Sequence, residues 1–257
     1  MAEHTWRTRP TLHGRLQVEE LEGRLTPAGN VTALLLGGNL LVLGDSAANS
    51  VEITAAGGNL SVTGQAGTTV NGGTGVTFSG VSSIARNLLV ALGRGADTAN
   101  IHDVAVGGYA AIDGGVLASF FATGPGDQLT LTNVKVGSYL IVATGGTDDA
   151  VTLNGVQVAE ATAIATYGGA DKVTISGSQL SGALLVATGA GNDSVSVDST
   201  TVGGVTAVAL GGGDDTLSLT GDTFSAAVFL DGGAGTDKLT VDSATTFAVA
   251  PVEAHFE

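Results

Sequence analysis

Six aspartates recur at one fixed interval along the second half of this chain, and their side chains are its strongest candidates for chemistry. They are Asp127, Asp149, Asp171, Asp193, Asp215 and Asp237, each 22 residues from the next. Each one closes a glycine-rich turn. Carboxylates in a row can bind a cation such as calcium, which takes oxygen ligands, or they can accept hydrogen bonds from main-chain amides of the adjoining turn. The residue types alone leave both roles open.

The segments that follow these aspartates are predicted to be strands. Apolar residues stand two and four positions after each aspartate, as Val151 and Leu153 do after Asp149, and a threonine or serine lies between them. This period of two is typical of a half-buried strand with one apolar and one hydroxyl-bearing face. A second strand-like segment precedes each turn, for example at 140–143, 183–186 and 205–208. A third, shorter apolar position occurs at Val136, Val158, Leu180, Val202 and Phe224.

Repeated strands of this kind bury their apolar faces by stacking on their neighbours, about 4.8 Å apart. We therefore predict an all-β fold, a right-handed parallel β-helix (β-solenoid) with coils of about 22 residues, because three short strands and three turns fill such a coil. Residues 30–257 should form roughly ten coils, with regular repeats from about 117 to 248. Counting backwards from Asp127 places Asp97, Gly75 and Asn49 at the same position of earlier coils.

Stacking would place the six carboxylates in a single file. Neighbours about 4.8 Å apart repel each other by about 0.9 kcal/mol in water, and salt roughly halves this energy. One charged hydrogen bond per coil contributes roughly 1.5 to 3 kcal/mol and would offset the repulsion without a metal. A calcium ion held between successive turns would offset it equally well.

The net charge of the chain excludes some classes of binding partner. Four arginines balance four glutamates in residues 1–29, so the net charge of −15 belongs to residues 30–257. An acidic surface of this kind repels nucleic acid and favours cations, so we expect no nucleic-acid binding. No apolar run reaches the roughly 18 residues that a membrane-spanning segment needs, so we expect no membrane span. The absence of cysteine excludes disulfides and thiolate metal sites.

The glycine turns resemble a known calcium-binding repeat. Residues 232–240 read Gly-Gly-Ala-Gly-Thr-Asp-Lys-Leu-Thr, and residues 189–195 read Gly-Ala-Gly-Asn-Asp-Ser-Val. Both are similar to the nonapeptide of the RTX, or hemolysin-type, family. The resemblance implies that Asp193, Asp215 and Asp237 bind calcium between stacked turns, with Asp149 and Asp171 behind them. It is partial, because RTX nonapeptides follow one another in tandem and this chain has one turn per coil.

The start of the chain carries a second resemblance. Residues 15–27 read Arg-Leu-Gln-Val-Glu-Glu-Leu-Glu-Gly-Arg-Leu-Thr-Pro, which is similar to the segment that opens many large secreted repeat proteins of planctomycete type. The Gly-Gly-Asn-Leu sequences at 37–40 and 57–60 resemble the first repeats of such proteins. The resemblance implies an extracellular or cell-envelope location, with residues 1–29 as an export segment. The same residues also suit a short amphipathic helix that caps the first coil.

Two functions remain after these exclusions. The first is a non-catalytic structural or adhesive β-solenoid of an exported or cell-surface repeat protein, with contacts to cell surfaces or polysaccharides. The second is an RTX-like module that extracellular calcium stabilises, calcium being the only candidate cofactor. A polysaccharide-active β-helix enzyme is a weaker alternative, for which the best residues are His102, Asp103, Tyr109 and Asp113. We expect no catalysis, because a lone His-Asp pair in an insertion is more often part of a polar loop.

Overall fold

Strands account for most of residues 29–114 and 125–257, which are the residues that the structure, a computed structural model, describes. The N-terminal strands are β1 (Asn30–Leu36), β2 (Asn39–Leu43), β3 (Ser50–Ala56), β4 (Asn59–Gly64), β5 (Thr69–Val70) and β6 (Gly75–Phe78). The coil then follows as β7 (Leu88–Ala91), β8 (Thr98–His102), β9 (Ala105–Val106), β10 (Ala110–Asp113), β11 (Pro125–Thr132), β12 (Lys135–Val136), β13 (Leu140–Gly145), β14 (Asp148–Asn154), β15 (Gln157–Val158), β16 (Thr162–Tyr167), β17 (Lys172–Ser176), β18 (Gln179–Leu180), β19 (Leu184–Ala190), β20 (Ser194–Asp198), β21 (Thr201–Val202), β22 (Thr206–Gly212), β23 (Thr216–Thr220), β24 (Thr223–Phe224), β25 (Val228–Ala234), β26 (Lys238–Val241), β27 (Thr246–Phe247) and β28 (Val252–Ala254).

Each turn of the coil contributes one strand to each of three sheets. Sheet 1 has 11 strands in the order β28-β25-β22-β19-β16-β13-β10-β7-β2-β1-β5. Sheet 2 has 10 strands, β26-β23-β20-β17-β14-β11-β8-β3-β4-β6, and sheet 3 has 7, β27-β24-β21-β18-β15-β12-β9. From β7 onward, neighbours within a sheet are parallel and come from successive turns. The predicted all-β parallel solenoid is therefore confirmed.

The register between turns equals the predicted repeat. Val151 pairs with Val173, and Val173 in turn pairs with Val195. The short third strand is also where the pattern placed it, since Val158 pairs with Leu180. Side chains that point inward from all three sheets form one continuous apolar core, in which members such as Leu153 and Ile175 are fully buried.

Residues 30–78 form only part of the additional coils that the repeat count predicted, because β2 and β3 stack in parallel on β7 and β8 while β1 and β4 pair with them as hairpins. Gly37 and Gly38 have φ values of 57° and 84°, and Gly57 and Gly58 have 58° and 78°. Two consecutive residues with positive φ make the two-residue turn that favours a β-hairpin. Accordingly β1 pairs antiparallel with β2, and β3 antiparallel with β4. The structure therefore has about seven turns instead of roughly ten.

The end of the chain continues the coil. β27 extends sheet 3, where Phe247 pairs with Phe224 and the two rings stack with centroids 5.2 Å apart. β28 extends sheet 1, where Val252 pairs with Phe229. The residues after 245 thus keep the solenoid register although they lack a glycine turn like those of the earlier coils.

Candidate functional site

The six predicted aspartates lie in a single file at the corner between sheets 1 and 2. All six are buried, with 1–4% of their surface exposed. Their burial follows from the alternation of the strand, because each aspartate stands two residues before a core residue, as Asp149 does before Val151, and so points the same way. The file itself was predicted from the 22-residue step. The sequence analysis above did not predict that the aspartate side chains point into the protein.

One hydrogen bond joins each pair of successive aspartates. The main-chain amide of one aspartate donates to Oδ1 of the aspartate in the next turn, as Asp149 does to Asp171 at 2.8 Å. The other pairs are Asp127 to Asp149 (2.7 Å), Asp171 to Asp193 (2.8 Å), Asp193 to Asp215 (2.7 Å) and Asp215 to Asp237 (2.9 Å). We call this file, together with Asp97, the aspartate ladder. Oδ1 of each carboxylate therefore accepts a main-chain amide of the preceding turn.

The ladder continues towards the N-terminus across the two irregular intervals. The amide of Asp97 donates to Oδ1 of Asp127 at 2.8 Å, and the amide of Asn49 donates to Oδ1 of Asp97 at 2.7 Å. Asp97 and Asn49 are therefore the equivalents that counting backwards predicted. Gly75 is not an equivalent, because it begins β6 and pairs antiparallel with Thr63. The prediction for Gly75 was wrong because a hairpin strand occupies the interval.

The second oxygen of most ladder carboxylates has no partner. Oδ2 is buried and accepts no hydrogen bond from any residue that the structure describes in Asp97, Asp171, Asp193, Asp215 and Asp237. Asp149 differs, because its Oδ2 accepts the amide of Gly145 at 3.0 Å and its Oδ1 also accepts the Thr147 hydroxyl at 2.9 Å. A buried carboxylate oxygen without a donor favours the protonated form of the group.

Burial accordingly shifts the acidity of the ladder. Removal from water raises the pKa of Asp127 and of Asp171 to about 7, and that of Asp97 to about 6. Removal from water also raises the pKa of Asp193 and of Asp215. The amide donated to Oδ1 opposes each pKa shift, as do the hydroxyls of Thr166 at Asp171 and Thr188 at Asp193, and neighbouring carboxylates add to several of the shifts. Because Oδ1 accepts an amide, Oδ2 is the oxygen of Asp97, Asp171, Asp193 and Asp215 that is available to carry a proton.

A second file of polar side chains, which the repeat of aspartates did not predict, lies at the corner between sheets 2 and 3. The amide of Val156 donates to the hydroxyl of Ser178 at 3.1 Å, and that of Ser178 donates to the hydroxyl of Thr200 at 3.3 Å. The amide of Thr200 then donates to Oδ1 of Asp222 at 2.9 Å. Desolvation raises the pKa of Asp222 to about 6. The residue type changes at every step, so only the spacing of 22 could have revealed the file.

The additional acids of the glycine turns lie on the outside of the same corner. Asp148 accepts the amide of Ala170 through Oδ1 at 2.8 Å, and Asp214 accepts the amide of Thr236 at 3.0 Å. Both residues are exposed, whereas the ladder behind them is buried. They bridge successive turns on the solvent side as the ladder does on the inside.

The residues considered for catalysis are only partly brought together. His102, on β8 of sheet 2, contacts Oε1 of Glu52 through Nε2 at 2.9 Å and Oδ2 of Asp103 through Nδ1 at 3.1 Å. Hydrogen bonds to Glu52 and then to Asp103 raise the pKa of His102. Asp113 lies elsewhere, on β10 of sheet 1, and Tyr109 directly precedes that strand. The arrangement is a surface ion pair between two adjacent strands.

The unpartnered Oδ2 atoms of the ladder are the atoms that a cation would use. Calcium takes six to eight oxygen ligands, and no group of three or more His, Asp or Glu side chains within residues 29–114 and 125–257 is arranged to hold a metal ion. Assignment of the six aspartates to calcium stays a prediction. A search of the same residues for an apolar helix long enough to cross a membrane finds none.

Comparisons with known proteins add no relative to this description. Profiles of protein families, curated protein sequences and solved structures were each compared with the chain, and none of them matches it.

Proposed function

We propose that this chain is a non-catalytic structural or adhesive β-solenoid of an exported or cell-surface repeat protein. The observation that carries the proposal is the aspartate ladder, which adds a side-chain hydrogen bond between successive turns to those of the three sheets. A column of this kind resists separation of the turns, because opening one interface exposes a buried amide and a buried carboxyl group together. The product is a stiff acidic rod, which suits a spacer or a contact surface.

The outer face of sheet 2 is the surface that suits contact with a polar partner. Its central outward column carries hydroxyl groups in every regular turn, at Thr130, Thr152, Thr174, Ser196, Ser218 and Thr240. Successive hydroxyls stand about 4.8 Å apart along the rod. Hydroxyl and amide side chains are the groups that hydrogen-bond to polysaccharides, so this face supports adhesion to a cell surface or its polysaccharides.

The location can be tested on cells that make the protein. An antibody raised against residues 125–257 should stain intact cells as strongly as permeabilised ones. Removal of residues 1–28 should abolish that staining if they address the chain for export. Staining that appears only after permeabilisation would reject a cell-surface role.

Calcium binding is the second candidate, and the unpartnered Oδ2 atoms of the ladder favour it. A cation among them would replace the protons that the raised pKa values imply, so binding should release protons. Thermal melting with calcium, with magnesium and with chelator tests this function. Binding at 100 times the dissociation constant would add about 2.7 kcal/mol per site and raise the midpoint. Equal midpoints in all three conditions would remove the candidate and leave the structural role untouched.

The absence of catalysis is also a proposal. Both ring nitrogens of His102 contact carboxylates, and the other two candidates, Tyr109 and Asp113, lie beside or on β10 of sheet 1. Polysaccharides incubated with the wild-type protein should show no cleavage beyond that with His102→Ala. Cleavage that disappears in the variant would establish the enzyme alternative.

A further inference from the structure

The outer face of sheet 1 is apolar over most of its length, in contrast to the acidic remainder of the rod. Its central outward column contains Ile141, Leu185 and Phe229, and each of these side chains is 48% exposed. The next column consists of alanines at 143, 165, 187 and 209, and an open groove of about 630 Å³ runs along both. Soluble proteins rarely leave so continuous an apolar face uncovered, so it indicates an interaction surface.

From β10 to β25 the central column alternates between small and large side chains, and it continues to Leu89 on β7 and Val252 on β28. Following the pairing from β10 to β25, it reads Ala111, Ile141, Ala163, Leu185, Ala207 and Phe229. Large side chains therefore stand two turns, or about 9.6 Å, apart. Each alanine between them leaves a gap wide enough for a large side chain from a facing surface.

This pattern is complementary to itself. A two-fold axis parallel to the strands, passing between β16 and β19, reverses the rod and places the column opposite its own copy. Leu185 of one copy then lies over Ala163 of the other, Ile141 over Ala207, and Phe229 over Ala111. These six positions each find a partner of the opposite size, as an isologous interface requires, whereas Leu89 and Val252 at the ends of the overlap lie over each other.

We propose that two copies of this chain dimerise antiparallel through the outer face of sheet 1. The axis overlaps eight strands, from β7 to β28, over about 34 Å, and three outward columns span about 20 Å with their side chains, so the shared face covers on the order of 700 Å². A standard interface buries about 800 Å² per partner. The area is close to that of a specific dimer, and packed sheets lie about 10 Å apart with interdigitated side chains.

Repulsion between like charges should oppose this association at low salt. The central part of the face, from β13 to β22, has no outward acid or base, whereas Asp113 and Asp231 lie at its two ends. The proposed axis brings Asp231 of one copy opposite Asp113 of the other, and each chain carries a net charge of −15. Salt screens both repulsions, so association should strengthen as sodium chloride is added.

Sedimentation velocity over a micromolar-to-millimolar series of the full chain, at low and high salt, tests the dimer. Leu185→Asp introduces a charge at the centre of the face and should weaken association at least about tenfold. Ser196→Asp, in the same turn but on the outer face of sheet 2, introduces the same charge and should leave association unchanged. Circular dichroism shows whether both variants fold.

Ala163→Leu separates a shaped interface from general stickiness. It adds apolar surface but fills the gap for Leu185 of the other copy, so it should weaken the dimer. A stronger association of Ala163→Leu would overturn the proposal. So would equal effects of the two aspartate variants, or a wild-type chain that stays monomeric at high salt, in which case a different molecule occupies the face.

Discussion

The main-chain amide of Asp171 donates to Oδ1 of Asp193 at 2.8 Å, and both residues are buried, with 2% of each exposed. Asp193 in turn donates its own amide to Asp215. Every interior member of the ladder is thus an acceptor for the turn before it and a donor to the turn after it. Loss of one carboxyl group leaves a buried amide of the preceding turn without a partner.

Substitution of Asp193 tests this bond. Asp193→Ala removes the acceptor of the Asp171 amide, and a buried amide without a partner costs about 1–3 kcal/mol. Asp193→Asn keeps an oxygen at Oδ1 and removes the charge, so it should be less destabilising than the alanine variant. Urea unfolding at neutral pH measures both free energies. Equal losses for alanine and asparagine would mean that the amide bond contributes nothing.

The acidity of the ladder predicts an unusual dependence of stability on pH. Burial raises the pKa of Asp193 and Asp215, and it raises that of Asp127 and Asp171 to about 7 and that of Asp97 to about 6, whereas aspartates of the unfolded chain titrate near 3.9. Between these values the folded state binds more protons, so the free energy of unfolding falls as pH rises from about 4 to 7. The thermal midpoint should therefore be higher at pH 5 than at pH 8.

The double variant Asp127→Asn, Asp171→Asn is the control for this pH dependence. It removes the two groups with the highest pKa values and keeps both Oδ1 acceptors, so the difference in midpoint between pH 5 and pH 8 should shrink. A wild-type midpoint that is lower at pH 5 than at pH 8 would contradict the assignment of protons to the ladder.

The sequence was sufficient to predict the repeated coil, but it did not predict the two hairpins near the N-terminus. A step of 22 residues predicts which residues stack, and the pairing of Val151 with Val173 has that step. The glycine pairs at 37–38 and 57–58 resemble coil corners in composition, yet they turn the chain back on itself. A double glycine suits both a hairpin and a corner, and the choice depends on whether the next strand finds an antiparallel or a parallel neighbour.

Burial of the ladder could have been predicted from the sequence. Asp149, Val151 and Leu153 share one parity, so a strand that buries the two apolar residues buries the aspartate as well. The acceptor role of Oδ1 could not have been predicted from the sequence, because it depends on the amide of a residue 22 positions away. The same limit explains why Asp222 was missed, since its donor, Thr200, belongs to another residue class.

Glycine at the corner of the ladder is predicted to be indispensable. Gly211 has a φ of 113°, and a Cβ there would lie 1.8 Å from the carbonyl oxygen of Gly189 in the preceding turn. Gly177 has a φ of 55°, and a Cβ there would meet nothing within 4 Å. Gly177→Ala should cost about 1–2 kcal/mol from its left-handed backbone alone. Gly211→Ala must also separate two turns, so it should lower the thermal midpoint much further. Similar midpoints for the two variants would show that the turns are not packed this closely.

The last prediction compares substitutions of a buried and an exposed phenylalanine. Phe224 is 1% exposed in sheet 3 and stacks on Phe247 of the next turn, whereas Phe229 is 48% exposed on sheet 1. Phe224→Ala should cost about 3–5 kcal/mol because it opens a cavity and breaks the ring pair. Phe229→Ala removes the same atoms from a surface and should change the free energy of unfolding by less than about 1 kcal/mol in dilute solution. Urea unfolding followed by circular dichroism compares them, and equal losses would contradict the inward and outward directions of these two strands. Since the direction of every column rests on the same alternation, that result would also remove the basis for an apolar outer face on sheet 1.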